Sequence, residues 1–352
     1  MYQTGLVGIL ALDWGLSKNM DRIKPIWTTI IVTHNSRADI GNCLTSLEPD
    51  AAAGLTRVVV VDNASTDGGA DLIRVQFPWI NQIKTPDNGG FGAGNNLGFR
   101  LAEGDYCFII NPDTEISHGC GSGLVEFLET HPDAGCVGPG IRGDSEEPVL
   151  SYFAFTSLTL SLWIAVGFQR LTTLNRTDGR LELRRHPPAN DILVDRLLGA
   201  AMMVRRKAFE QVGGFDETFF LYSEEEDLCY RMSKAGWKVY YHPESWVHHH
   251  GAGSTSAMNA VAVAATNWSR YLYLRKHSSR LKAEISRWVW VVMLFLRLLI
   301  SWLRHPFNRR TRSRGYVESL KSLLFLGYFE RVLRPPRVKA ESISISSENP
   351  HC

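Results

Sequence analysis

Residues 26–35 read IWTTIIVTHN, and residues 57–65 read RVVVVDNAS. Each is a run of β-branched side chains that stops abruptly on a polar cluster. That is the pattern of a strand buried on both faces and emptying into a loop. Between and after them, residues 38–47 and 67–75 have helical spacing, and residues 80–84 form a short third strand. A Gly/Asn cluster at 88–98 opens a helix reaching about residue 103. Residues 106–110 (YCFII) are a further strand, ending on Asn111-Pro112-Asp113. Strands alternating with helical patterns predict an α/β fold, a mostly parallel sheet with flanking helices. In such sheets ligands collect beyond the carboxyl ends of the strands, where these polar clusters sit.

The second half is patterned differently. Residues 142–196 are irregular, with an apolar aromatic stretch at 152–168 and a charged loop at 176–188. Residues 197–204 resume a strand-like run. Residues 209–254 carry another group of polar motifs, and after Asn267 a basic, aromatic, helical segment runs to about residue 337. Charge divides along the same line: residues 1–269 hold 21 Lys and Arg against 31 Asp and Glu, whereas residues 270–339 hold 17 against 3. An acidic body with a basic segment predicts contact with a polyanion, either nucleic acid or an anionic membrane. The six cysteines are scattered without a CxxC pair, which fits reduced thiols rather than a disulfide framework. Residues 5–16 are apolar, but Asp13 interrupts them and no Lys or Arg precedes them, so they read as a short extension rather than a signal peptide.

Five clusters have chemistry to offer. Asp62, at the end of a buried strand, is placed either to accept a pyrimidine N–H or to close an Asx turn, and Asn63 either joins it or caps the next helix. Thr33 and Asn35 stand at the end of the neighbouring strand. The stretch Asn88-Gly89-Gly90-Phe91, continuing to Asn95, offers bare backbone whose amides suit phosphate or ribose oxygens, although its spacing departs from GxGxxG. Asn111-Pro112-Asp113 is either a proline turn or a carboxylate site for Mg²⁺ or Mn²⁺. Glu224-Glu225-Glu226-Asp227 is either a solvated face or a group whose mutual repulsion raises one pKa and makes a general base. His248-His249-His250, before a flexible Gly pair, suits metal or phosphate.

On these residues the sequence resembles the family 2 glycosyltransferases, especially their bacterial rhamnosyltransferase-like branch. The matching stretches, in order, are TTIIVTHNS, VVVVDNASTDG, PDNGGFGAGNNLGF, FIINPDTEI, the long run from LLGAAMMVRR to EEEDLCYRMSKAGW, and VHHHGAGST. The resemblance implies a GT-A fold and inverting, single-displacement sugar transfer from a nucleoside diphosphate, with dTDP-L-rhamnose favoured and UDP- and GDP-sugars open. It assigns Asp62 to the base, with Thr33, Asn35, Asn63, Asn88, Gly89, Gly90, Phe91, Asn95 and Asn111 beside it on the nucleotide-sugar. Asp113 and His249 become the ligands of a divalent metal. Glu225 becomes the base, with Glu224 its nearest rival and Asp227 closing the motif. Gly199, Ala200, Phe215, Asp216 and Tyr222 fall on the acceptor side. Two departures stand out: Asn111 replaces the first Asp of a DxD pattern, and Glu225 is one methylene longer than the usual Asp.

The resulting division is an extension (1–25), a transferase domain (26–266, with 26–115 for the nucleotide-sugar and 116–266 for acceptor and catalysis), a basic amphipathic region (267–339) and a disordered tip (340–352). Within the basic region, residues 285–303 are apolar, but Arg287 and Arg297 limit the charge-free run to nine residues, 288–296. About 18–20 are needed to cross a bilayer. An interfacial helix on an anionic membrane, at the cytoplasmic face of a bacterial inner membrane, fits better, with a lipid-linked or polysaccharide acceptor. Nucleic acid is not expected as a partner, because the basic residues interleave with apolar ones. Two rivals are a nicotinamide-dependent oxidoreductase, disfavoured by the glycine spacing, and a glycan- or nucleotide-sugar-binding protein with impaired catalysis.

Overall fold

The computed structural model describes residues 25–165, 173–250, 260–304 and 310–335. The expected N-terminal extension and disordered tip lie outside them, apart from Pro25 at the extension's edge. Eight strands of three or more residues build the main sheet: β1 (Trp27–Thr33), β2 (Thr56–Asp62), β3 (Asn81–Lys84), β4 (Tyr106–Ile110), β5 (Thr114–Ile116), β6 (Ala134–Arg142), β7 (Ala201–Arg205) and β8 (Lys238–His249). Their spatial order is β8-β6-β7-β4-β1-β2-β3, with β5 paired to β8 and the two-residue strand Ile192–Leu193 beyond β8. β1, β2, β3 and β4 are mutually parallel, as are β6 and β8. The α/β, mostly parallel sheet with flanking helices is therefore the observed class. The strand run at 197–204 carried no direction in its sequence; β7 proves antiparallel to both β4 and β6.

Every residue of β1 is buried, because the strand has a helical layer on each side. Ile31 joins Val58, Val60 and the helices α1 (Ile40–Ala52), α2 (Gly69–Gln76) and α4 (Cys120–Thr130) in one core. Its neighbour Ile30 points the other way, into a core shared with α3 (Phe91–Arg100), α6 (Arg206–Gln211) and α7 (Glu224–Lys234). Two-sided burial removes the alternation a half-exposed strand would show. α3 lies so close to β1 that a Cβ on Gly94 would fall 2.6 Å from Val32, and one on Gly98 2.5 Å from Ile30. Much of the Gly-rich stretch thus exists to dock a helix on a strand.

The helices α8 (Ala260–His277), α9 (Arg280–Arg304) and α10 (Arg310–Leu324) form a third core with Phe219 and Phe220 and with Ile164 of a short helix, α5 (Leu158–Ala165). The boundary expected at 266/267 falls inside α8. This helix is part of the body: Ser269 Oγ donates to Leu221 O at 2.9 Å, and His277 Nε2 lies 2.6 Å from Asp227 Oδ1.

Candidate active site

The parallel register sets Thr33 beside Asp62 at the carboxyl edge of the sheet. Two left-handed residues, Asn35 (φ 55°) and Ala64 (φ 56°), fold the strand-end loops onto each other. Asn35 N then donates to Ser65 Oγ at 2.9 Å, and Thr66 N to Asn35 Oδ1 at 2.8 Å, so Asn35 braces the loop pair. Asp62 is fully buried; its Oδ1 accepts from Ser65 N at 3.0 Å, while its Oδ2 has no partner. A buried carboxylate oxygen without a donor is unfavourable unless a ligand supplies one.

Asn63 Nδ2 donates to Gly90 O at 3.0 Å and ties this edge to the glycine loop. There the expectation of free amides at Gly90 and Phe91 is corrected. Gly90 N is taken by Asn88 Oδ1 at 3.0 Å, and Phe91 N donates to Phe220 O at 3.2 Å. Gly90 has φ +92°, and a Cβ there would lie 2.2 Å from Phe220 O. The loop clasps the segment leading into α7, which uses up donors that would otherwise face phosphate. Asn95 is likewise turned inward: fully buried, it donates to Phe91 O at 3.0 Å within α3.

At the end of β4, Asn111 N donates to Ala200 O at 2.9 Å, so the antiparallel β7 delivers Gly199 and Ala200 to the same edge. Asp113 Oδ1 lies 3.0 Å from His249 Nε2, close but not aligned as a hydrogen bond; both atoms are buried and unpartnered. Two orphaned ligand atoms, a carboxylate from the turn after β4 and an imidazole from β8, fit a divalent cation. β8 continues through His249, so successive rings alternate across it. His248 Nε2 contacts Gly143 O at 2.9 Å, and His250 Nε2 contacts Glu115 Oε1 at 2.6 Å. Together with Asp144 these two rings form a separate cluster whose ligand atoms lie within 4.8 Å of one another.

The four acidic residues opening α7 are not a solvated face: none is more than 8% exposed. Tyr222 (φ 68°) and Ser223 (φ 64°) both adopt left-handed backbone just before them, a strained entry of the kind concentrated at functional sites. Arg196 answers the charge. Its Nη1 donates to Glu225 Oε1 at 3.2 Å and its Nε lies 3.7 Å from Glu226 Oε1; Glu226 also accepts from the Thr156 amide and hydroxyl. Burial pushes the Glu225 carboxyl above its ordinary range, Arg196 pulls it back and Glu226 pushes with burial. Glu224 is raised well above the ordinary range, by burial first and then by Glu225. Asp227 differs. Burial would raise it, but His277, Arg231 and Lys276 outweigh that and hold it low. Wholly enclosed by these partners, Asp227, expected among the catalytic residues, ties α7 to α8. A Cβ on Gly199 would lie 3.7 Å from Glu225 and 3.8 Å from Phe91, so Glu225, the glycine loop and the segment entering β7 meet at one place.

The model of the family described as "Glycosyl transferase family 2" matches residues 28–213. The chain belongs to glycosyl transferase family 2. It is thus a nucleotide-sugar glycosyltransferase. A second model, described as the N-terminal domain of galactosyltransferase, matches residues 187–250. An N-acetylglucosaminyl-diphospho-decaprenol L-rhamnosyltransferase of Mycobacterium tuberculosis is 33% identical over 275 residues, covering 72% of this chain and 87% of the relative. Rhamnosyltransferase WbbL of Escherichia coli is 30% identical over 161 residues, covering 44% and 58%. Among solved structures, a Pyrobaculum calidifontis mannosyltransferase in complex with GDP-Man and Mn²⁺ superposes with TM-score 0.54 at 16% identity, covering 86% of this chain and 88% of that one. The fold is GT-A-like.

On the acceptor side of this family 2 chain, two expected residues are structural. Phe215 is 3% exposed beneath Phe91, its backbone clamped in both directions by Asn96. Asp216 accepts from Lys276 Nζ at 2.6 Å and from Thr218 N; burial would raise it, but these partners bring it down to about 2. Tyr222 remains half-buried beside Glu224 and Glu225. Arg196 was missed by sequence reasoning. Its one signal was a lone arginine heading an otherwise apolar strand run, Arg196-Leu197-Leu198.

Proposed function

We propose that this chain is an inverting rhamnosyltransferase that moves L-rhamnose from dTDP-rhamnose to a hydroxyl of a sugar carried on a lipid diphosphate. The observation carrying this reading is Glu225, a buried carboxylate paired with Arg196 and lying beside Gly199, which Phe91 of the glycine loop also approaches. Asp62 Oδ2, lacking a protein donor, accepts the N–H of the thymine ring. Asp113 and His249 would hold a divalent cation, which supplies charge neutralisation to the departing diphosphate. Glu225 removes the acceptor hydroxyl proton as that oxygen attacks the anomeric carbon from the face opposite the leaving group. Burial raises the carboxyl's pKa and so makes it a stronger proton acceptor than an exposed glutamate. Support for rhamnose and for a diphospho-lipid acceptor comes from the names of the Mycobacterium and Escherichia relatives.

The same reading includes a peripheral membrane position on an anionic surface. Among the described residues no helix is long and apolar enough to cross a membrane. α9 nevertheless exposes Leu281, Ile285, Trp288, Val292, Phe295, Leu296, Leu299 and Ile300 along one side. Spacing of three and four residues makes this a continuous apolar stripe.

The deciding experiment offers dTDP-rhamnose, UDP-sugars and GDP-sugars with Mn²⁺ and a polyprenyl-diphospho-N-acetylglucosamine acceptor. Transfer from dTDP-rhamnose that vanishes in Glu225→Gln is the expected result. Transfer only from another donor would reject the rhamnosyl assignment, and undiminished transfer by Glu225→Gln would remove Glu225 as the base.

A further inference from the structure

α8 lies alongside α7 with a fixed pairing. His277 meets Asp227, and one turn earlier Tyr273 meets Tyr230 with ring centroids 6.0 Å apart. Near the start of α7 the anchor is Ser269, whose Oγ donates to Leu221 O at 2.9 Å; Arg270 follows it and lies within electrostatic reach of Glu226 and Glu225. It is partly sheltered, yet it makes no hydrogen bond or ion pair to any described residue. A guanidinium has five N–H donors, and among the described residues none of those on Arg270 is taken, so they are open to an anionic ligand. Glu225 and Glu226 do not satisfy it, because Arg196 already holds both.

A third guanidinium joins this group. Arg297 follows buried Met293 and Leu294 of α9 by one turn, which sets it toward the body rather than on the outer stripe. It too has no hydrogen bond or ion pair to a described residue. Arg270 sits below the usual arginine range, by burial first, then through the like charges of Arg196 and Arg297, with Glu226 and Glu225 opposing. Three arginines from three separate elements therefore face two carboxylates already committed to one of them. Among the described residues, positive charge exceeds negative charge here, which favours an anionic ligand.

We infer that Arg270 and Arg297 bind the diphosphate of a lipid-linked acceptor, between the base Glu225 and the exposed apolar side of α9. This rests on the diphospho-lipid reading above and assigns residues to it. Two diphosphates enter such a site, one on the donor and one on the acceptor, and placement separates them. Donor contacts are expected from Asp62, Asp113 and His249 at the strand ends, whereas Arg270 and Arg297 come from the helices that carry the apolar stripe. Leu296 and Ile300 flank Arg297 on α9 and are 49% and 47% exposed, so a chain leaving the diphosphate has apolar surface beside it.

The test compares two acceptors with one donor: farnesyl-diphospho-N-acetylglucosamine and octyl N-acetylglucosaminide. Wild-type enzyme is expected to prefer the diphosphate acceptor in kcat/KM. Arg270→Gln is expected to shrink that preference roughly 10- to 100-fold through acceptor KM, the worth of a charge-assisted hydrogen bond. Arg270→Lys should restore much of it, and Arg297→Gln should show a smaller loss of the same kind. An equal loss on both acceptors with unchanged preference marks a structural role and overturns the inference, as does a rise confined to donor KM. Wild type that uses the diphosphate acceptor no better than Arg270→Gln does overturns the anchor alone. Wild type that ignores this acceptor while transferring to others overturns the diphospho-lipid reading as well. Matching melting temperatures and circular dichroism across the variants establish that each is folded.

Discussion

Arg196 Nη1 donates to Glu225 Oε1 at 3.2 Å while the same side chain's Nε stands 3.7 Å from Glu226 Oε1, so one guanidinium bridges the two central carboxylates of the acidic helix start. Its side chain is 13% exposed, and that of Glu226 1%. Breaking such a buried pair leaves charge without compensation. Arg196→Met is therefore expected to destabilise the protein by about 3–5 kcal/mol, read from urea unfolding. A loss under roughly 1 kcal/mol would mean the pair behaves as a surface one.

The same contact sets a pH dependence. Burial raises the Glu225 carboxyl above the ordinary glutamate value of 4.5, against the pull of Arg196. A base must be ionised, so kcat/KM should climb with pH through an acid limb lying above 4.5. Stability runs the other way. The folded state holds this proton more tightly than the unfolded chain does, so the carboxyl's contribution declines as pH rises from the unfolded pKa through the raised one. Arg196→Lys, which replaces the fork with a point charge, should move the limb to higher pH. A limb at or below 4.5 in wild type would contradict this account.

Alternation along β8 separates the three histidines. His249 meets Asp113, whereas His248 contacts the Gly143 carbonyl. His249→Ala and Asp113→Asn should each reduce transfer by about 100-fold, comparable to losing one electrostatic contact to the transition state. Both should also abolish any rise in melting temperature on adding Mn²⁺, a readout independent of turnover. His248→Ala should retain that rise. Loss of the Mn²⁺ response in His248→Ala but not in His249→Ala would move the metal to the Asp144, His248 and His250 cluster.

Some of this was legible without coordinates and some was not. β1 and β2 declared themselves because a strand buried on both faces is an unbroken β-branched run, and Asp62 and Asp113 were findable as the polar residues ending such runs. The acidic start of α7 was visible as an oddity: four carboxylates framed by aromatics. What escaped depends on partners remote in the chain. Gly94 read as ligand-facing until Val32 is seen against it. Asp227 read as catalytic until Lys276 and His277, about fifty positions away, are seen to enclose it. Arg196 lies 29 residues before Glu225, with nothing local to mark the pairing.

Glycine packing yields a prediction of opposite signs. A Cβ at Gly98 would fall 2.5 Å from Ile30, inside the layer between α3 and β1. Gly98→Ala forces the helix off the strand and should destabilise by about 1–3 kcal/mol. Gly41, within α1, has nothing within 4 Å of the same added atom. Gly41→Ala should be neutral or stabilise by up to about 1 kcal/mol, through helix propensity. Thermal unfolding of both decides the matter, and equal effects would refute the packing explanation.

The apolar side of α9 gives a prediction about membranes. Trp288 and Val292 are 52% and 55% exposed, one turn apart, while Trp290, Met293 and Leu294 on the other side are buried in the third core. Trp288→Glu with Val292→Glu therefore alters the outer stripe without touching that core. Each apolar side chain buried in a bilayer interface contributes about 2 kcal/mol, so the double variant should sediment with anionic vesicles at least about 100-fold more weakly. Basic residues flank the stripe, and each near an anionic leaflet adds about 1 kcal/mol that salt screens. Wild-type binding should consequently weaken in about 0.5 M NaCl but survive, because the apolar part is indifferent to salt. Complete release by salt, or undiminished sedimentation of the double variant, would show that α9 does not enter the lipid.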